Sequence, residues 1–205
     1  MRNRASNGVN ARSKNFRDQN PRIVIFCEGE RTEPLYFKAF RYTAMDVKGS
    51  GMNTHSLVEE AIKYKDENKL ERGDQLWVVF DRDDFPEDNI RKAFDQAKKN
   101  GIRCAYSNQA FELWFLLHFD YHDAALHRSQ YKEKLSEKLD RDYKKNDAGI
   151  YRKLLDKQDN AIRNAQKLHN AYVTFDPIRN DPVTTVYELV MELNRLNEST
   201  RRDSI

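Results

Sequence analysis

The sequence predicts an α/β fold: a mainly parallel sheet of about four strands flanked by helices, followed by a helical C-terminal extension. Three observations lead to it. Short apolar runs at Arg22–Cys27, Gln75–Phe80 and Ile102–Tyr106 alternate with longer stretches of helical periodicity. These runs are nearly all apolar rather than alternating, as expected of strands covered on both faces. Carboxylates also collect where two of the runs end, and functional groups gather at the carboxyl ends of strands in such sheets.

The chain has 205 residues, enough for one domain with an appendage and a real core. Its organisation reads as a disordered basic arm over residues 1–20, an α/β core over 21–125 and a helical extension over 126–205 packing on that core. Arg2, Arg4, Arg12, Lys14 and Arg17 stand against Asp18 alone in the arm. Set among Asn, Ser and Gly, they make either a solubilising tail or a loose contact to a phosphate backbone.

The first strand, Arg22–Cys27, runs into Glu28-Gly29-Glu30-Arg31-Thr32-Glu33-Pro34. That reads as a strand-to-helix turn in which Thr32 or Glu33 caps the helix and Pro34 occupies its first turn. Glu28 is left at the strand's carboxyl end, while Glu30 and Glu33 read as first-turn acids favoured by the helix dipole. Met45–Lys48 is a candidate second strand. Ser56-Leu57-Val58-Glu59 has the form of a capping box opening a helix to about Leu70.

The third strand, Gln75–Phe80, ends in Asp81-Arg82-Asp83-Asp84. Crowded carboxylates repel unless something positive sits among them, most economically a divalent cation. Residues two apart just past a strand can face the same side, so Asp81 and Asp83 can share one ion while Arg82 points away. Asp84 reads as a cap for the segment that follows. Oxygen donors without a His or Cys cluster favour Mg²⁺ or Mn²⁺ over zinc.

A helix from about Pro86 to Asn100 places Ile90, Ala93, Phe94 and Ala97 on one face, with Gly101 as its terminator. Ile102–Tyr106 is the fourth strand. Phe111 to Phe119 is apolar on nearly every side and reads as a core helix, in which Glu112 is the anomaly. A buried carboxylate needs a cation, an amide or a metal, so Glu112 is a candidate to join the acidic cluster. His118, in the same helix, reads as a satisfied core histidine or a catalytic one, with the core reading favoured.

Residues 128–157 hold ten Lys or Arg against six acids, with Tyr131, Leu135 and Leu139 as a thin apolar stripe. This predicts an exposed helical excursion: either a solvated face or a nucleic-acid track using Lys144 and Lys145 with interleaved Tyr143 and Tyr151. Two further helices follow, one near Asp159–Tyr172 and one from Pro182 capped by Asp181. Cys27 and Cys104 lie in strand runs and read as buried thiols, which suits a reducing cytosol. No signal-peptide pattern or run of about 18 apolar residues is present, so a soluble cytoplasmic protein without membrane contact is expected.

Glu28-Gly29 after a strand, with Asp-x-Asp at a strand end some fifty residues later, resembles the Toprim domain of topoisomerases, bacterial-type primases and overcoming-lysogenization-defect nucleases. A closer similarity is to the RloB-like family, a Toprim-like group associated with bacterial defence loci. It is carried by the strings Cys27 to Phe37, Phe80 to Asp84, Phe111 to Phe119 and Asn180 to Val186, and covers roughly residues 22–195.

The resemblance implies a Toprim-like (Rossmann-like) fold and metal-dependent phosphodiester chemistry, with Glu28 as the Toprim glutamate and Asp81 and Asp83 as its metal-binding aspartates. Catalytic roles are expected for Glu28, Asp81, Asp83 and Glu112, and nucleic-acid contacts for Arg31, Arg82, Lys144 and Lys145. A nuclease, acting alone or as a defence effector on DNA or RNA, is the first reading. The second is a non-catalytic module binding nucleic acid or an ATPase. The sequence has no Gly-x-x-x-x-Gly-Lys loop, so any ATPase partner would act in trans. A nucleotide-sugar transferase ranks third, because it does not predict Glu28-Gly29.

Overall fold

The computed structural model describes residues 20–82 and 86–202. Five strands form one sheet: β1 (Ile23–Cys27), β2 (Met45–Gly49), β3 (Gln75–Asp81), β4 (Arg103–Asn108) and β5 (Val183–Thr184). Their order is β2-β1-β3-β4-β5, with the first four parallel and β5 antiparallel to β4. The expected α/β fold with a mainly parallel, Rossmann-like sheet is therefore present, with one strand more than the sequence announced.

Parity along the strands explains the two hydrophobic faces. Ile23, Ile25, Cys27, Trp77 and Val79 point to one side, where they meet α1 (Thr32–Lys38), α4 (Glu112–Leu116) and the helices of the C-terminal half. Val24, Phe26, Val78 and Phe80 point to the other, under α2 (Thr54–Glu67) and α3 (Glu87–Lys99). Parallel strands joined by helical crossovers are covered on both faces, which is why β1 and β3 read as continuous apolar runs.

The chain continues through α5 (Tyr131–Leu139), α6 (Ile150–Leu154), α7 (Gln158–Asn170) and α8 (Val186–Arg202). Leu135, Leu154, Leu168 and Leu193 from these helices enter the same core as Trp77 and Trp114. Among the described residues, no helix is long and apolar enough to cross a membrane.

Several local expectations differ from what is observed. Helix α2 starts at Thr54, earlier than the Ser56 signature implies, because Asn53 is its cap and accepts the Ser56 backbone N–H at 3.0 Å. Thr32 does not cap α1; its hydroxyl donates to the Lys145 carbonyl at 2.6 Å instead. Asp181 does not open a helix at Pro182. Val183 and Thr184 first pair with Asn108 and Ser107, and Asp181 accepts from Gln109 Nε2 at 3.2 Å. The 128–157 segment is less exposed than its charge suggests, since Tyr131, Leu135 and Tyr143 are fully buried. Cys27 is buried as expected, whereas Cys104 is only half-buried. Apart from Asn20, the basic arm lies outside the described residues, as do Asp83 and Asp84.

Candidate active-site cleft

The site lies where the strand order reverses. From β1 the chain crosses to β2 on one side and later returns to β3 on the other, leaving a crevice beyond the carboxyl ends of β1 and β3. Cys27 pairs with Val79, so Glu28 and Asp81 both emerge at that crevice. They line a cleft of about 650 Å³ together with Glu30, Arg31, Glu33, Glu112, Arg128 and Lys145.

Glu28 is held from two directions. Its Oε1 accepts the Thr54 hydroxyl at 3.1 Å, and its Oε2 accepts the Asp81 backbone N–H at 3.3 Å. The Glu28 backbone is fixed too, donating to Val79 O and accepting from the Gly51 N–H. Close backbone approach shapes this corner: a Cβ on Gly49 would stand 2.8 Å from both the Glu30 carbonyl and Pro34 Cγ.

Glu112 comes from the helix that follows β4, and its side chain is buried at the cleft wall. The Tyr143 hydroxyl donates to Glu112 Oε1 at 3.2 Å, and Lys145 Nζ lies 3.7 Å from the same oxygen. Burial, and then the Glu112 charge, push the Tyr143 phenol well above its usual range, so it stays a donor at neutral pH. Glu112 thus meets the requirement that a buried carboxylate be paired.

The remaining expected residues separate clearly. Arg31 and Lys145 line the cleft, while Lys144 is exposed but not part of its lining. Arg82, read both as pointing away from Asp81 and as a nucleic-acid contact, does not line the cleft; it donates to Ile178 O at 2.8 Å and to Glu87 Oε1 at 3.3 Å. Glu33 is more than a first-turn acid, because it is buried and faces the cleft. His118 is a core histidine: it is buried, with Nδ1 2.9 Å from Trp114 O, and burial lowers its pKa to about 4. Burial, reinforced by Glu33, raises the Cys27 thiol well above its ordinary range, so it is no nucleophile.

Thr54, Tyr143 and Arg128 were not foreseen at the site. Thr54 reaches Glu28 across 26 positions and Tyr143 reaches Glu112 across 31, and no local pattern encodes either contact. Glu28 and Asp81 offer carboxylate oxygens only, a donor set suited to a hard divalent cation. Among the described residues no three His, Cys, Asp or Glu side chains are gathered into a metal-binding group, and the expected third ligand, Asp83, lies outside them.

No curated protein and no solved structure matches the chain significantly. A family model described as RloB-like protein matches residues 23–193, a span containing all five strands and every cleft residue named above, and the chain therefore belongs to the RloB-like family.

Proposed function

We propose that this protein is a Mg²⁺- or Mn²⁺-dependent nuclease that hydrolyses phosphodiester bonds of nucleic acid and serves as the effector of a bacterial anti-phage or restriction-linked defence system. The observation that carries the reading is the meeting of Glu28 and Asp81 at adjacent strand ends in a cleft that also presents Arg31, Arg128 and Lys145. Carboxylates suit a cation and basic side chains suit phosphate oxygens, so the two sets together fit a phosphodiester better than a neutral substrate.

In this reading Glu28 and Asp81 hold the cation, with Asp83 as a further ligand. When bound, the ion supplies Lewis acidity toward the phosphate and a more acidic water. Glu28 is fixed in orientation by Thr54 and the Asp81 N–H, which suits it to ligation or to accepting a proton from the attacking water. Arg31 and Lys145 receive the non-bridging phosphate oxygens. Glu112, tied to Tyr143, keeps the Lys145 ammonium at the cleft wall. Any ATPase partner is supplied in trans.

Incubation with DNA and tRNA in the presence of Mn²⁺, with Asp81→Ala and Glu28→Ala alongside, tests the proposal. Cleavage by the wild type and its loss in both variants are expected. Equal cleavage by the variants removes the assignment of these residues, and absence of cleavage by the wild type leaves a non-catalytic binding module.

A further inference from the structure

A second cavity, of about 940 Å³, opens at the other end of α1. The N-terminal end of α1, at Thr32, borders the Glu28–Asp81 cleft, whereas its C-terminal flank, Ala39 and Arg41, borders this groove. The segment from Lys145 to Gly149 runs between the two, since Lys145 lines the cleft and Ala148 and Gly149 line the groove. The groove is walled by Arg41, Tyr151, Arg152, Lys153, Asn194 and Asn197.

Its charge is unevenly committed. Lys153 is 3.5 Å from Asp147, so its ammonium is already paired. Arg41 and Arg152 are exposed, and among the described residues neither has a hydrogen-bond or ion-pair partner. Glu198 is the single carboxylate of the lining. The Asn194 amide already donates to Gln158 Oε1 at 2.7 Å, so the two guanidiniums and the Asn197 amide make the surface for phosphate and sugar oxygens. Tyr151 is half-buried and packs on Phe40 with ring centroids 4.8 Å apart, so it gives the groove a rigid aromatic wall rather than a mobile arm.

We infer that this groove, through Arg41 and Arg152, is a second phosphate-contact site that binds the sugar-phosphate strand of the nucleic acid whose scissile bond lies in the Glu28–Asp81 cleft. The spacing fits such a strand. Helix α1 has seven residues and is about 10 Å long. A strand of a few nucleotides is long enough to run from the cleft past α1 to the groove. The inference rests on the proposal that the cleft acts on nucleic acid, and it adds where the substrate continues beyond the reacting bond.

The test uses fluorescein-labelled eight-nucleotide DNA and RNA strands of one sequence. Their binding is followed by anisotropy against salt concentration in EDTA, so that they stay intact. Arg41→Glu/Arg152→Glu is expected to weaken binding and to reduce the log–log salt slope by about 1.4, two single-strand contacts at about 0.7 each. Arg41→Gln/Arg152→Gln, a milder change at the same exposed positions, is expected to reduce the slope by a similar amount. In cleavage assays with Mn²⁺ these variants should raise KM and leave kcat unchanged. The strand type that the wild type binds more tightly at one salt concentration identifies the preferred sugar.

An unchanged slope and KM in both double variants overturns the groove while leaving the cleft assignment standing. A reduced slope in the double variants, where the wild type binds but does not cleave, supports the groove and refutes the nuclease reading. Absence of binding to both strands by the wild type overturns both.

Discussion

The Lys145 ammonium stands 3.7 Å from the Glu112 carboxylate, although the lysine is largely solvent-exposed and the glutamate is buried. The loop carrying Lys145 is secured independently of that pair. Thr32 donates to the Lys145 carbonyl, and Asp147 is bound by Arg141, by Lys153 and by the Gly149 N–H. Lys145→Ala should therefore cost about 1 kcal/mol, because solvent screens the exposed ammonium and Tyr143 still donates to the buried Glu112 carboxylate. Nucleic-acid binding should weaken nonetheless, with the salt slope falling by about 0.7 for one lost single-strand contact. Denaturant titration together with anisotropy measures both, and an unchanged slope would assign Lys145 to a structural role.

Tyr143 should matter to stability more than Lys145 does. Its buried hydroxyl serves the buried Glu112 carboxylate at 3.2 Å, and Tyr143→Phe leaves that oxygen short of a donor. A loss of about 1–3 kcal/mol is expected from urea unfolding. A change below about 0.5 kcal/mol would show that the bond contributes little.

Gly49 is required for the corner that carries Glu28. An added Cβ would lie 2.8 Å from the Glu30 carbonyl and 2.9 Å from the Gly29 carbonyl, and backbone atoms cannot swing aside as a side-chain end can. Gly49→Ala is expected to destabilise the fold by about 1–3 kcal/mol. Gly73, where the nearest atom to an added Cβ is Pro21 Cβ at 3.5 Å, is crowded far less, but its φ of 99° disfavours Ala for a different reason. Thermal unfolding of Gly49→Ala that matched the wild type would contradict the predicted close approach.

His118 predicts a pH dependence. Burial lowers its pKa from 6.5 to about 4, with hydrogen bonds to the Trp114 and Phe115 backbone only partly opposing this. The unfolded chain takes up the proton first as pH falls, so this site subtracts stability progressively between pH 6.5 and 4 and has no such effect above that window. The size is up to about 3 kcal/mol. His118→Asn should be less stable than the wild type at pH 7 and should lose less stability on acidification to pH 4.5. Parallel losses in the two proteins would remove His118 as the cause.

The sheet and its two acidic strand ends were legible because both depend on local pattern. Apolar runs of five residues mark β1 and β3, and Glu28 and Asp81 stand where those runs stop. The position of Arg82 was legible for the same reason, since alternation alone turns it from Asp81. The two residues of β5 were not, because Asp181-Pro182 reads as a helix start and only the pairing of Val183 with Asn108 makes a strand there. The partners of Glu112 were hidden too. Nothing near Tyr143 distinguishes a phenol that will be buried against a carboxylate 31 positions away from one facing solvent among lysines. Net charge misled in the same segment: Tyr131 and Leu135 read as a thin stripe on an exposed excursion, yet both are fully buried.

The central claim is that Glu28 and Asp81 together form a divalent-cation site, and calorimetric titration of the protein with Mn²⁺ tests it most directly. Wild-type protein should bind Mn²⁺. Glu28→Gln and Asp81→Asn, which keep side-chain shape and remove charge, should each weaken binding at least about tenfold, a difference of about 1.4 kcal/mol. Asp46→Asn, on β2 outside the cleft lining, should bind as the wild type does. Equal Mn²⁺ affinity in all four proteins would contradict the account.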